Sequence, residues 1–305
     1  MFYERLLIRL RKEGFRPDAV VRYLKGTSGR ARENLEENPE FIRSLLGTIL
    51  ILFGLIFLLA TWVSISVGRE TGTRFLLWSS GWLGLVFLWP LIHTGLSRDS
   101  SGAVVRYISW PNFLSLFRLS LVPGLFIVIL NGNTGHAIAL FGAGALSDVA
   151  DGFVARKLSQ QTRMGLVMDP LVDVAFNMSV IWALSVSGTL SLAVSLLLTA
   201  RYLLLLGGAA YIYVFRGPVR IQPTVFGKLS AVFLSGMILA YMFLHDYSGI
   251  LLRERLSALL EMALAILIAA TILHVIIMGT YSLRLYPRVV ATDEESREKK
   301  QDLGA

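Results

Sequence analysis

Apolar residues fill this chain in eight long blocks, at roughly 44–66, 75–96, 113–131, 137–157, 165–187, 190–215, 228–246 and 258–281. A helix of about 20 apolar residues crosses the hydrocarbon core of a bilayer, so each block reads as a membrane span. The pattern predicts an all-α, polytopic transmembrane helix bundle. Pro123 and Pro170 fall inside blocks and are expected to kink their helices. Ahead of the blocks, residues 1–43 are polar. Leu6, Leu7, Leu10 and Val20, Val21, Leu24 recur there at helical spacing. These read as short amphipathic helices on the membrane surface, or as a solvated helical tail. After Pro287 the chain is charged and is expected to lack structure.

Composition sharpens this picture. Mean hydropathy is +0.62 and only 16% of residues are charged, against about 25% for a soluble protein. There is no cysteine, which excludes disulfides and thiolate zinc sites. A net charge of +8 points to anionic lipid head groups and an anionic substrate as partners, not to nucleic acid. Lys and Arg also fix an orientation. With the N-terminus in the cytoplasm, 23 of the 29 fall in segments 1–43, 97–112, 156–164, 216–228 and 281–305. Only Arg69, Arg74, Arg253 and Arg255 lie in loops on the other side, as the positive-inside rule requires. The N-terminus lacks a signal peptide's uninterrupted apolar stretch, and no organelle-targeting segment is evident. A bacterial cytoplasmic membrane is the expected location.

The chemistry is concentrated in one stretch. Asp148 and Asp151 lie three apart at the end of one block, and Asp169 and Asp173 lie four apart at the start of the next. Either spacing puts a pair on one helix face. The loop between, about 157–164, is short enough that the two helices should run antiparallel and adjacent. Ionised carboxylates in a membrane interior need compensating cations. Four of them could converge on two hard divalent ions about 3.5–4 Å apart, an arrangement suited to phosphoryl chemistry. Gly152 and Gly165 would let a bulky ligand approach the backbone. Buried acids also make proton relays and ion paths, so a transporter fits the spacing too, although no second acidic motif marks a repeated half. His93, His136, His245 and His274 are scattered and acquire no role.

The whole run resembles the signature of the CDP-alcohol phosphatidyltransferase family, D-x2-D-G-x2-A-R-x8-G-x3-D-x3-D. Asp148, Asp151, Gly152, Ala155, Arg156, Gly165, Asp169 and Asp173 fill every fixed position. A weaker likeness covers about 109–283. The resemblance implies a six-helix catalytic core, 106–283, preceded by a two-helix transmembrane unit, 44–105. A cytoplasmic segment, 1–43, and a cytoplasmic tail, 284–305, flank them. It implies transfer of a phosphatidyl group from CDP-diacylglycerol to an alcohol with release of CMP. It implies two Mg²⁺ or Mn²⁺ ions on Asp148, Asp151, Asp169 and Asp173, with Asp173 also the general base. CDP would be held at Asp148, Asp151, Gly152, Ala155, Arg156 and Gly165.

The acceptor positions resemble members that make phosphatidylglycerophosphate or cardiolipin. Pro111, Asn112, Ser115 and Arg118 are similar to the Pro-Asn-x-x-[Thr/Ser]-x-x-Arg opening the family's first core helix. Arg201 and Lys228 are similar to basic residues of its fourth and fifth helices. Arg118, Arg201 and Lys228 would therefore bind the acceptor, with Arg216 and Arg220 as further cations in a loop. Two positions depart from the pattern. Tyr202 stands where these members carry Glu or Asp, and Ser230 where a Thr is common near the lysine. Glycerol 3-phosphate is the preferred acceptor, phosphatidylglycerol next, inositol phosphate further back. A homodimer is expected, and the two extra N-terminal spans read as anchoring.

Overall fold

The computed structural model describes residues 9, 10, 12–92, 105–158, 162–216, 224–247 and 250–302. Among these the chain is helical and has no strand. In chain order the helices are α1 (Pro17–Glu37), α2 (Pro39–Ser66), α3 (Arg69–Ile92), α4 (Trp110–Leu130), α5 (Thr134–Lys157), α6 (Arg163–Val186), α7 (Leu192–Tyr211), α8 (Val225–Tyr247) and α9 (Ile250–Asp302). A π-helical turn, Ile212–Arg216, ends α7. Seven of these helices are long and apolar enough to cross a membrane. The eighth expected span, 75–96, belongs to α3 and runs past the described residues at 93. Leu50, Ile65, Leu77, Val149, Leu203, Val232 and Ile266 point outward, as a lipid-facing surface requires. This is an integral membrane protein.

Local chemistry sets several boundaries that periodicity misplaces. The first span starts at Pro39, not near 44, because the Asn38 side chain accepts from the Phe41 N–H and Pro39 opens the helix. A turn at Gly68 (φ 142°) separates it from α3. Helix α3 begins at Arg69, and Glu70 and Arg74 pair one turn apart within it. At the far end, α9 continues through Pro287 to Asp302, where the sequence suggests an unstructured tail. Residues 291–302 hold three Glu and two Lys beside single Ala, Arg and Gln, good helix formers whose charges can pair at i,i+4.

The bundle is organised around α4. Half of its apolar window is buried, more than in any other span. Helices α3, α5 and α6 all pack against it. Close approach is written into small residues and rings. The fully buried Phe75 ring of α3 lies where Gly124 of α4 has no side chain, and Gly72 lets α3 meet Ala60 and Ser64 of α2. The segment before α4 is tied to the start of α2. The Asn38 side chain donates to the Val105 carbonyl (3.3 Å), and the Ile108 N–H donates to Ser44 Oγ (2.9 Å). Helix α9 closes the other side of the bundle against α7 and α8. At one end of the bundle, Phe15 ahead of α1 packs against Phe215 of the π-helical turn, ring centroids 5.3 Å apart.

Candidate active site

Two capped helix starts frame the site. Ser109 caps α4 and Thr162 caps α6, the latter by accepting from the Gly165 N–H at 3.0 Å. Asn112 ties the two starts together. Its amide nitrogen donates to Thr162 Oγ1 (3.0 Å), and the Thr162 hydroxyl donates back to Asn112 Oδ1 (3.2 Å). A Cβ on Gly165 would lie 2.8 Å from that Asn112 oxygen, so glycine is required here for Asn112 to fit.

From Asn112 a polar stripe runs up one face of α4 at three-residue intervals. Ser115 donates to Asp169 Oδ1 at 2.9 Å. Arg118, only 3% exposed, reaches three carboxylates. Its Nη1 pairs with Asp148, and its Nη2 lies 3.1 Å from Asp173 and 3.6 Å from Asp151. Arg118 therefore does not snorkel to the surface; it lies among the acids.

The acid-bearing helices meet through a side chain. Their backbones do not run in close contact. Both instead lie along α4, and they meet each other through Phe176. Its ring sits against Gly144 and stacks on Phe141 at 5.3 Å. The aromatic spacer holds α5 and α6 apart, and the Arg118 side chain fills part of the gap between their carboxylates.

The charge balance bears on a metal. Four carboxylates face one guanidinium, so their full ionisation would leave three negative charges to be compensated in a region the bilayer keeps partly dry. Hard oxygen donors in excess suit Mg²⁺ or Mn²⁺. Among the described residues, no three acids or histidines yet share a point close enough to hold one ion, because Arg118 stands between them. The donor set fits the ions, and Arg118 is the side chain that must share the cluster with them.

A second cation lies nearby. Arg201 of α7 is buried, with its guanidinium over the Tyr202 ring at 4.9 Å. Among the described residues its Nε has no acceptor and no carboxylate pairs with it. Tyr202 neighbours Asn177 and lies within electrostatic range of Asp173, which places this pair beside the acids. Asn177 donates to the Asp173 carbonyl (3.0 Å) and accepts from Ser235 of α8 (3.5 Å). Gly152 is half-buried on α5. The side chains of Ala155, Arg156, Arg216 and Lys228, and all of Arg220, lie outside the described residues.

Thr162, Asn177 and Ser235 escape a reading of the sequence. The first two carry faint signals: Thr162 stands three before Gly165 as an N-cap would, and Asn177 lies one turn past Asp173. Ser235 carries none, because only the tertiary fold brings α8 there.

A family model described as CDP-alcohol phosphatidyltransferase matches residues 108–283. An Aquifex aeolicus protein named CDP-diacylglycerol–glycerol-3-phosphate 3-phosphatidyltransferase is 35% identical over 161 residues, covering 52% of this chain and 88% of that one. A Mycobacterium tuberculosis protein provisionally named a cardiolipin synthase is 34% identical over 124 residues, 40% of this chain and 59% of that one. Rat cardiolipin synthase (CMP-forming) is 28% identical over 103 residues, 33% of this chain and 34% of that one. No solved structure matches.

Proposed function

This chain belongs to the CDP-alcohol phosphatidyltransferase family, and we propose that it transfers a phosphatidyl group from CDP-diacylglycerol to glycerol 3-phosphate, releasing CMP. The observation that carries the reading is the convergence of Asp148, Asp151 and Asp173, from two helices, on the buried Arg118, with Asp169 held alongside by Ser115.

Asp148, Asp151, Asp169 and Asp173 would hold two Mg²⁺ or Mn²⁺ ions, which when bound supply charge stabilisation to the diphosphate. The chain's own residues do the rest. The Asp173 carboxylate accepts the proton of the acceptor hydroxyl. The hydroxyl oxygen bonds to the β-phosphorus, the bond from that phosphorus to the CMP oxygen breaks, and CMP leaves. Arg118 keeps the Asp173 carboxylate oriented. Gly152 and Ala155 leave room for the nucleotide, Gly165 lets it approach beside Asn112, and Arg156 braces the diphosphate. The acceptor phosphate lies on Arg201, whose unpaired Nε needs an anionic partner. Lys228, Arg216 and Arg220 add positive charge toward the cytoplasm, where the site opens. The enzyme works as a homodimer in a bacterial cytoplasmic membrane, its basic loops on anionic lipid.

Purified protein in lipid, given CDP-diacylglycerol, Mg²⁺ and one acceptor at a time, tests the reading. Glycerol 3-phosphate is expected to release CMP fastest, and EDTA to stop release until Mg²⁺ or Mn²⁺ is restored. Faster release with phosphatidylglycerol would make the enzyme cardiolipin-forming. No release with any acceptor would overturn the reaction.

A further inference from the structure

Pro123 has no N–H, so the Leu119 carbonyl of α4 has no partner in the helix ladder. In a membrane interior such a carbonyl is costly, because no water can replace the lost donor. Its partner comes from outside the catalytic core. The indole N–H of Trp82, on α3, donates to the Leu119 oxygen at 2.9 Å. Two helical turns closer to the start of α3, the Phe75 ring occupies the notch over Gly124, the residue after Pro123. From the opposite side, Ser179 of α6 donates to the Val122 carbonyl at 2.9 Å. The weakened stretch of α4 is thus gripped by α3 on one side and by the acid-bearing α6 on the other. Leu119 is the residue next to Arg118.

We propose that Trp82 is a positioning residue for the transfer reaction: its indole N–H caps the carbonyl orphaned by Pro123 and thereby fixes the segment of α4 that aims Arg118 at the carboxylates. The N-terminal two-helix unit is then a working part of the site and not merely an anchor. This rests on the transferase reading given above.

The test is a cycle of Trp82→Phe, Pro123→Ala and the double variant, each in the full chain in lipid. Trp82→Phe keeps an aromatic ring and removes only the donor. Pro123→Ala restores an N–H for Leu119, so the indole is no longer needed. In the Pro123 background, Trp82→Phe is expected to lower kcat about fivefold, with KM for CDP-diacylglycerol within about twofold. In the Pro123→Ala background the same change should move kcat by less than about twofold, because the ladder itself then satisfies Leu119. Hydrogen–deuterium exchange supplies a readout independent of turnover. Amide exchange in 115–123 should rise in Trp82→Phe and return in the double variant. An equal loss of kcat in both backgrounds, or unchanged kcat and exchange in Trp82→Phe, overturns the proposal. A wild-type chain that releases no CMP overturns the reaction instead, and the exchange arm then decides the contact alone.

Discussion

Arg118 holds one charge against three carboxylates, and this inequality governs what each acid can do. Asp151 is the most shielded of the three it touches, at 13% exposed, whereas Asp148 and Asp173 are about half open, at 51% and 46%. Asp173→Asn keeps the shape and an oxygen for Arg118 but cannot take a proton. Its kcat is expected to fall about 10²–10⁴-fold while CDP-diacylglycerol still binds; near-normal turnover in CMP-release kinetics would remove Asp173 from the base role. Ser115→Ala removes one hydrogen bond to Asp169. Such a bond to a charged group is worth about 1.5–3 kcal/mol, so a loss of roughly tenfold or more in turnover is expected, with Ser115→Thr restoring most of it. The acids themselves were legible in the sequence, because charge is conspicuous in an apolar block. Their partner was not: Arg118 lies 30 residues before Asp148, and no local spacing links them.

At the scale of elements, α4 does what its apolar pattern hides. It reads as another span, yet Asn112, Ser115 and Arg118 form a stripe on the face that meets both acid-bearing helices. The stripe depends on α4 and α6 starting in register, which Asn112 and Thr162 secure. Gly165→Ala would bring a Cβ to 2.8 Å from Asn112 Oδ1 and push that side chain off Thr162. Overpacking of this kind costs about 1–3 kcal/mol, and a lowered thermal midpoint in lipid is expected, accompanied by lost CMP release. An unchanged midpoint would mean that Asn112 moves freely. Helices α5 and α6, expected to be antiparallel neighbours, meet through side chains and not backbone to backbone. A short loop makes neighbours of two helices, but Phe176, a large ring against Gly144, sets how closely they approach.

For the whole molecule, the lipid-facing surface is apolar and the polar groups turn inward or to the ends. Phe15 meets Phe215 at one end of the bundle, and His136 bonds Ser66 (2.8 Å) where α2 ends and α5 begins. The proposed orientation puts the first of these in the cytoplasm. The chain has no cysteine, so single cysteines can report it directly. In intact cells a membrane-impermeant maleimide should label Asn131→Cys, and Val21→Cys only after lysis. The opposite pattern would invert the topology and move the site to the outer face.

The sequence by itself determined the class of molecule and the class of chemistry. Burying some twenty apolar residues at a time leaves only helices in a membrane, and four acids at fixed spacing within them call for cations whatever the packing. Tertiary structure decided everything that depends on contact across the bundle: that Arg118 stands among the acids, that Asn112 aligns two helix starts, and that Trp82, outside the family's core, caps a carbonyl of the helix bearing Arg118. Hydropathy and spacing are properties of single segments. Which residues meet is set by rings, glycines and orphaned carbonyls on different helices, and these acquire meaning only when the helices pack.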